Sequence, residues 1–164
     1  MGRESGWTLP EVLLAVSVMM VIGALVWRGS REGLAVQQLQ TASQRLTGGL
    51  EDARAAALRE GRPCALRLGP SGWEAPQTSA LPGCAGVSPG IGAGIESDQG
   101  QPQLAHNFPD PVRFSANGLV LDGGTVWLRS QHTTLVRCVV VSLPLGVTRV
   151  GREGPSGCEP EVRP

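Results

Sequence analysis

Apolar residues crowd one stretch near the start of the chain and recur at two different periods over the rest. From Val12 to Trp27 the run VLLAVSVMMVIGALVW carries no charged side chain, and extended back to Trp7 it gives 21 residues interrupted only by Thr8, Pro10 and Glu11. At about 1.5 Å per residue such a helix spans a bilayer core of roughly 30 Å. Trp7 and Trp27 then fall near its two ends, where amphipathic rings favour the interface. Farther on, Leu39, Ala42, Leu46, Leu50, Ala53 and Ala57 return at intervals of three and four among glutamines and arginines, the period of an amphipathic helix with one buried face. The simplest arrangement is a continuation of the first helix to about Arg59, stopped by Gly61 and Pro63, with a bend expected at Gly48-Gly49.

After the stop the period changes to that of strands. Short runs occur at Cys64 to Leu68, Val112 to Phe114, Leu119 to Leu121, Thr125 to Arg129, Leu135 to Leu143 and Val147 to Val150. Gly69-Pro70-Ser71-Gly72, Ala116-Asn117-Gly118, Asp122-Gly123-Gly124 and Pro144-Leu145-Gly146 separate them as tight reversals, which predicts a mainly antiparallel sheet. Between Ala75 and Pro111 the chain is rich in Gly, Pro and Ser without periodicity, and a long surface loop is expected there. Its Gly90-Ile91-Gly92-Ala93-Gly94 looks superficially like a phosphate-cradling loop, but no strand precedes it and no helical pattern follows. The pattern as a whole predicts an α+β protein, a long N-terminal helix with an apolar and an amphipathic half, packed on a β-rich domain.

Composition narrows the function. The 14 basic and 14 acidic residues cancel, so the whole molecule lacks the positive excess that draws a protein to nucleic acid, and any such contact has to come from a local patch. All the basic residues are arginines, which we read as genomic base composition. Cys64, Cys84, Cys138 and Cys158 all follow the apolar segment, an even number that suits two disulfides in an oxidising compartment. Of three possible pairings, Cys64 with Cys84 and Cys138 with Cys158 close local loops and are preferred. A four-cysteine zinc site is disfavoured because no C-x-x-C pair is present. His106 and His132 show no metal spacing, and no nucleophile lies beside a base and an orienting acid. Neither catalysis nor a cofactor is expected.

Glu11 is the most informative residue. An ionisable group inside a membrane span costs at least a few kcal/mol and is by default functional, although a carboxylate in a first helical turn also suits the helix dipole. A secretory signal peptide explains the segment poorly, because no small-x-small site follows a run that ends in Trp27-Arg28-Gly29-Ser30. The neighbours of Glu11 decide between the readings. Gly6-Trp7-Thr8-Leu9-Pro10-Glu11 resembles the class III signal of type IV prepilins, a glycine followed by F-T-L-x-E and an apolar helix, with Trp7 in place of the usual phenylalanine.

That resemblance implies cleavage between Gly6 and Trp7 by a membrane prepilin peptidase, methylation of the new N-terminus at Trp7, and a type IV pilin-like fold. Its segments would be a leader at 1–6, a membrane and assembly helix at 7–28, an amphipathic continuation at 29–61 and a globular domain at 62–164. Cleavage creates a cationic amine within the membrane, and by resemblance Glu11 of one subunit neutralises the Trp7 amine of a neighbour, fixing axial register. Pro10 sits in the first helical turn, where its missing amide hydrogen does little harm. Arg28 and Arg31 beyond the apolar run, against Arg3 offset by Glu4 before it, favour the opposite orientation by the positive-inside tendency. The leader motif and the cysteines outweigh it, and place the globular domain outside the cytoplasmic membrane.

The layout also resembles the GspH/FimT-type minor pilins and pseudopilins over nearly the whole chain. The residues that carry this are Ala53 to Pro63 at the join of helix and first strand, Gly72-Trp73, Val112-Arg113-Phe114 with Asn117-Gly118, and Gly151-Arg152. Read from the residues alone, Arg54 and Arg59 are exposed helix arginines, Trp73 is a core residue and Asn117-Gly118 is a turn. In some members a C-terminal G-R-x-R loop binds DNA. Here Arg149-Val150-Gly151-Arg152-Glu153-Gly154 lacks the second arginine and gains a glutamate, which reduces phosphate affinity. Arg149, Arg152 and Arg137 are the candidates for a small cationic patch. The expected function is that of a minor subunit of a type IV pilus or type II secretion pseudopilus, with other pilins, prepilin peptidase and the inner membrane as partners. The alternatives are a DNA-capturing minor pilin and a membrane-tethered envelope enzyme.

Overall fold

The computed structural model describes residues 8–77, 79–87, 90 and 102–160, with the side chains of 25–30 left out. Among the described residues Thr8 opens one α-helix, α1 (Leu9–Glu60), by accepting at its carbonyl from the amides of Glu11 (3.0 Å) and Val12 (3.2 Å). Gly61, at φ 59°, ends it in the left-handed conformation that glycine adopts without penalty, and Pro63 follows. The chain divides into two compact units, Met1–Leu34 and Ala35–Pro164.

In the first unit every described side chain from Thr8 to Ala24 is exposed, the large apolar ones by 45% at Val12 to 75% at Leu9. Among the described residues no helix is long and apolar enough to cross a membrane. The described side chains of the apolar run stop at Ala24, and Trp27 and Arg28 lie outside them.

The second unit holds the remaining turns of α1 and eight strands: β1 (Cys64–Gly69), β2 (Gly72–Glu74), β3 (Gln103–His106), β4 (Val112–Phe114), β5 (Gly124–Ser130), β6 (Thr133–Ser142), β7 (Val147–Gly154) and β8 (Gly157–Pro160). They form two sheets, β2-β1-β4 and β3-β5-β6-β7-β8, in which every strand pair is antiparallel. One core joins the helix to both. Leu39, Ala42, Leu46, Leu50, Ala53 and Ala57, the stripe visible in the sequence, pack with Leu66, Leu68, Val112 and Phe114 of the smaller sheet and with Val126, Leu128, Val139 and Val141 of the larger. Period-two alternation aims these last four at the helix, while Thr125, Trp127, Val140 and Ser142 take the opposite face.

Four expectations need correction. The helix runs unbroken through Gly48-Gly49, and the reason for glycine at 49 is contact: a Cβ there would run into the Trp73 indole, whose Nε1 donates to the Leu46 carbonyl at 2.9 Å. The long loop from 75 to 111 contains a strand, β3, whose exposed sequence gave no alternation to read. Leu119 to Leu121 is a single bridge, Phe114 with Val120, because the segment is held by the turn Ser115–Leu119 instead of a ladder. The last expected run, Val147 to Val150, extends to Gly154 as β7. Gly154-Pro155-Ser156-Gly157 turns it back as β8, with Gly157 at φ 110°. The glycine-rich run after Gly90 lies outside the described residues.

Candidate functional site

Glu11 stands at the third position of α1, and its Oε2 accepts from the backbone amide and the hydroxyl of Thr8, both at 3.4 Å. Glu11 thus makes one half of a capping box: its carboxylate covers the Thr8 amide at the end of the helix, while the Glu11 amide donates to the Thr8 carbonyl and the Thr8 hydroxyl donates to the carboxylate instead of accepting. The contacts are long and the side chain is exposed, so Glu11 is oriented toward the N-terminal end without being buried against its own chain. Gly6 and Trp7 lie outside the described residues.

The three arginines considered for a cationic patch do not come together as one. Arg152 is directly opposite Arg137 across β6 and β7, whereas Arg149 pairs with Val140. Positions 149 and 152 differ by three, so their side chains leave opposite faces of the sheet. Arg149 and Arg152 are exposed, but Arg137 is only 7% exposed and has little surface to offer a phosphate. Glu153, the intruding acid, bonds Arg129 of β5 at 3.2 Å and so offsets a fourth positive charge at this end of the sheet. Gly151 has a packing role. A Cβ there would run into the Glu159 carbonyl, because β8 passes close over β7.

Both disulfides form with the local pairing: Cys64 to Cys84 and Cys138 to Cys158, each across 20 residues. The first ties β1 to the segment at 82–84, which also bonds it through Ala65 (N–H to Pro82 O, 2.9 Å). The second holds β8 to β6. Among the described residues no group of His, Cys, Asp and Glu is arranged to hold a metal ion. His106 lies on the edge strand β3 with its ring 6.4 Å from that of Phe108, and His132 lies in the turn before β6.

Two further features escaped the sequence. Asp122 accepts from the Arg113 backbone amide (2.9 Å), its Nε (2.8 Å) and its Nη2 (2.9 Å), which joins β4 to the segment entering β5. Those side-chain hydrogen bonds hold the Asp122 carboxyl below the usual carboxylate range, against the opposing effect of partial burial. Arg54, expected to be a simple surface residue, is partly buried and donates Nη1 to the Leu145 carbonyl at 3.0 Å, pinning the β6–β7 turn to the helix. No spacing in sequence links positions 91 residues apart; only the fold does.

Comparison with known proteins adds one match: the family model described as Type II transport protein GspH covers residues 42–145, more than half of the chain. No curated protein and no solved structure matches.

Proposed function

The chain belongs to the GspH family of type II transport proteins, a family of structural pseudopilins, and from that premise we propose that it is a minor subunit drawn from the inner membrane into a pseudopilus after its leader is removed. The observation that carries this reading is the first unit. A helix whose described side chains from Leu9 to Ile22 are apolar apart from Pro10, Glu11 and Ser17, and all exposed, has no cover of its own, and lipid or neighbouring helices of the same kind are what supply one. In this reading the apolar run to Trp27 is the membrane segment, and prepilin peptidase cuts between Gly6 and Trp7 and methylates the Trp7 amine.

Glu11 then has a defined task. Left in lipid alone it is costly; paired with the amine of a neighbour it is neutralised, and the pairing sets the axial step between helices. The contact of its carboxylate with Thr8 supports this by pointing it toward the end of the helix where that amine would arrive. Glu11→Gln keeps the shape and removes the charge. In cells expressing the full chain with its machinery, we expect its fraction in sheared filaments to fall about ten-fold at unchanged membrane level. Equal incorporation of the Gln variant would sink the reading. The separation of Arg149 from Arg152 and the burial of Arg137 leave DNA capture without a supporting observation.

A further inference from the structure

Strand β8 does not extend the larger sheet as a flat edge. Cys158 of β8 and Cys138 of β6 have Cα atoms 5.8 Å apart, whereas strands two places apart in a flat sheet lie about 9.5 Å apart. The bond between them and the missing side chain of Gly151 let β8 fold over β7, on the face of the sheet that the helix does not cover. Beside β8 on that face lies a cavity of about 130 Å³, lined by Val140 and Ser142 of β6, Arg149 and Gly151 of β7, and Cys158 and Pro160 of β8. Register brings them together: Arg149 is directly opposite Val140, and Gly151 stands between Cys138 and Pro160. The charges of this face do not balance. By alternation its charged strand residues are Arg129, Glu153 and Arg149, and the first two bind each other at 3.2 Å. Arg149 is exposed and takes no part in the ion pairs and hydrogen bonds of the described residues, and among these it is the one charged residue in the cavity wall.

We propose that this cavity is a carboxylate slot, which takes a glutamate or aspartate side chain presented by another protein. A wall with one cation, one hydroxyl and otherwise apolar groups calls for a short aliphatic stem that ends in an anion. The Arg149 guanidinium binds a carboxylate at two points, the Ser142 hydroxyl donates to it, and Val140 and Pro160 cover the methylenes. Nucleic acids and anionic membranes bind by summing several cations, and this face offers one; their phosphates also bring no aliphatic stem to Val140 and Pro160. A second copy docked across a two-fold axis brings another Arg149 to the same interface, and no acid from the cavity wall. The slot lies on the second unit and goes beyond the pseudopilin reading; neither stands on the other.

The chain contains no lysine, so Arg149→Lys installs a single one at the slot and keeps the charge. In intact cells that express this full-length variant, a water-soluble carbodiimide joins the new amine to a carboxylate in contact with it, and mass spectrometry of the amide-linked peptides identifies that carboxylate. We expect one Glu or Asp of another protein, joined about ten-fold more than to a lysine placed by Thr134→Lys, an exposed position on the same face about 20 Å along β6 from Val140. Val140→Glu sets an acid directly opposite position 149 and fills the slot from within, so it should lower the product about ten-fold with the thermal transition unchanged. A blocked peptide that copies the joined segment should compete, and its counterpart with Gln in place of the joined Glu, or Asn in place of a joined Asp, should need about five-fold more. The proposal is overturned by products confined to carboxylates of this same sequence, by equal yields at 149 and 134, by a product that survives Val140→Glu, by equal competition from the amide peptide, or by no product from a folded chain.

Discussion

Trp73 and Gly49 form one unit. The indole fills the space where a side chain on the helix would be, and its N–H shares a carbonyl with the helix. Trp73→Ala should cost about 3–5 kcal/mol by leaving a large cavity, and Gly49→Val should cost several kcal/mol by displacing the ring; denaturant unfolding measures both. Asp122 makes a different kind of contribution. Its carboxyl titrates lower in the folded chain than in the unfolded one, so the stabilisation it brings is complete above the ordinary carboxylate pKa of about 4 and is lost as pH falls through the lowered value. Asp122→Asn should therefore be less stable than the native chain at pH 7, with the difference shrinking toward zero as pH falls below about 4. A difference that stays constant down to pH 2 would show that the bonds to Arg113 do not depend on the ionised form.

Strand β8 is the element whose position rests most on covalent and steric detail. Cys158 holds it to β6, and Gly151 allows it to approach β7 without a side chain between. Closing a loop of 20 residues is worth about 3 kcal/mol in the chain-entropy account, so Cys138→Ser with Cys158→Ser should lower stability by about that amount. Amide exchange across residues 155–160 should rise first, because β8 is an edge strand held on one side only. Gly151→Ala should raise exchange in the same segment with both disulfides intact. The elements themselves differed in how far the sequence disclosed them. The helix stripe, β1, β4, β5 and β6 carry strong periodicity and clear turn residues, and the structure places them there. Strands β2, β3 and β8 have three or four residues each and exposed or glycine-rich sequences, so their pairing is set by neighbours far along the chain, which local pattern does not encode.

At the scale of the molecule, the two units divide the work. One presents an apolar helix with a single carboxylate near its start, and the other is a stapled domain whose core is closed by the same helix and two sheets. Family membership covers residues 42–145 and so accounts for most of the second unit, while the role of the first rests on its exposed apolar surface and on the motif around Glu11. Everything proposed for assembly requires that the chain be cut before Trp7. The most direct measurement is mass spectrometry of the N-terminal peptide of the mature protein, purified from cells with and without prepilin peptidase. The account requires a peptide that begins at Trp7 and carries a methyl group when the peptidase is present, and one that retains Gly6 when it is absent. A mature chain in the filament fraction that still begins at Met1 would contradict it.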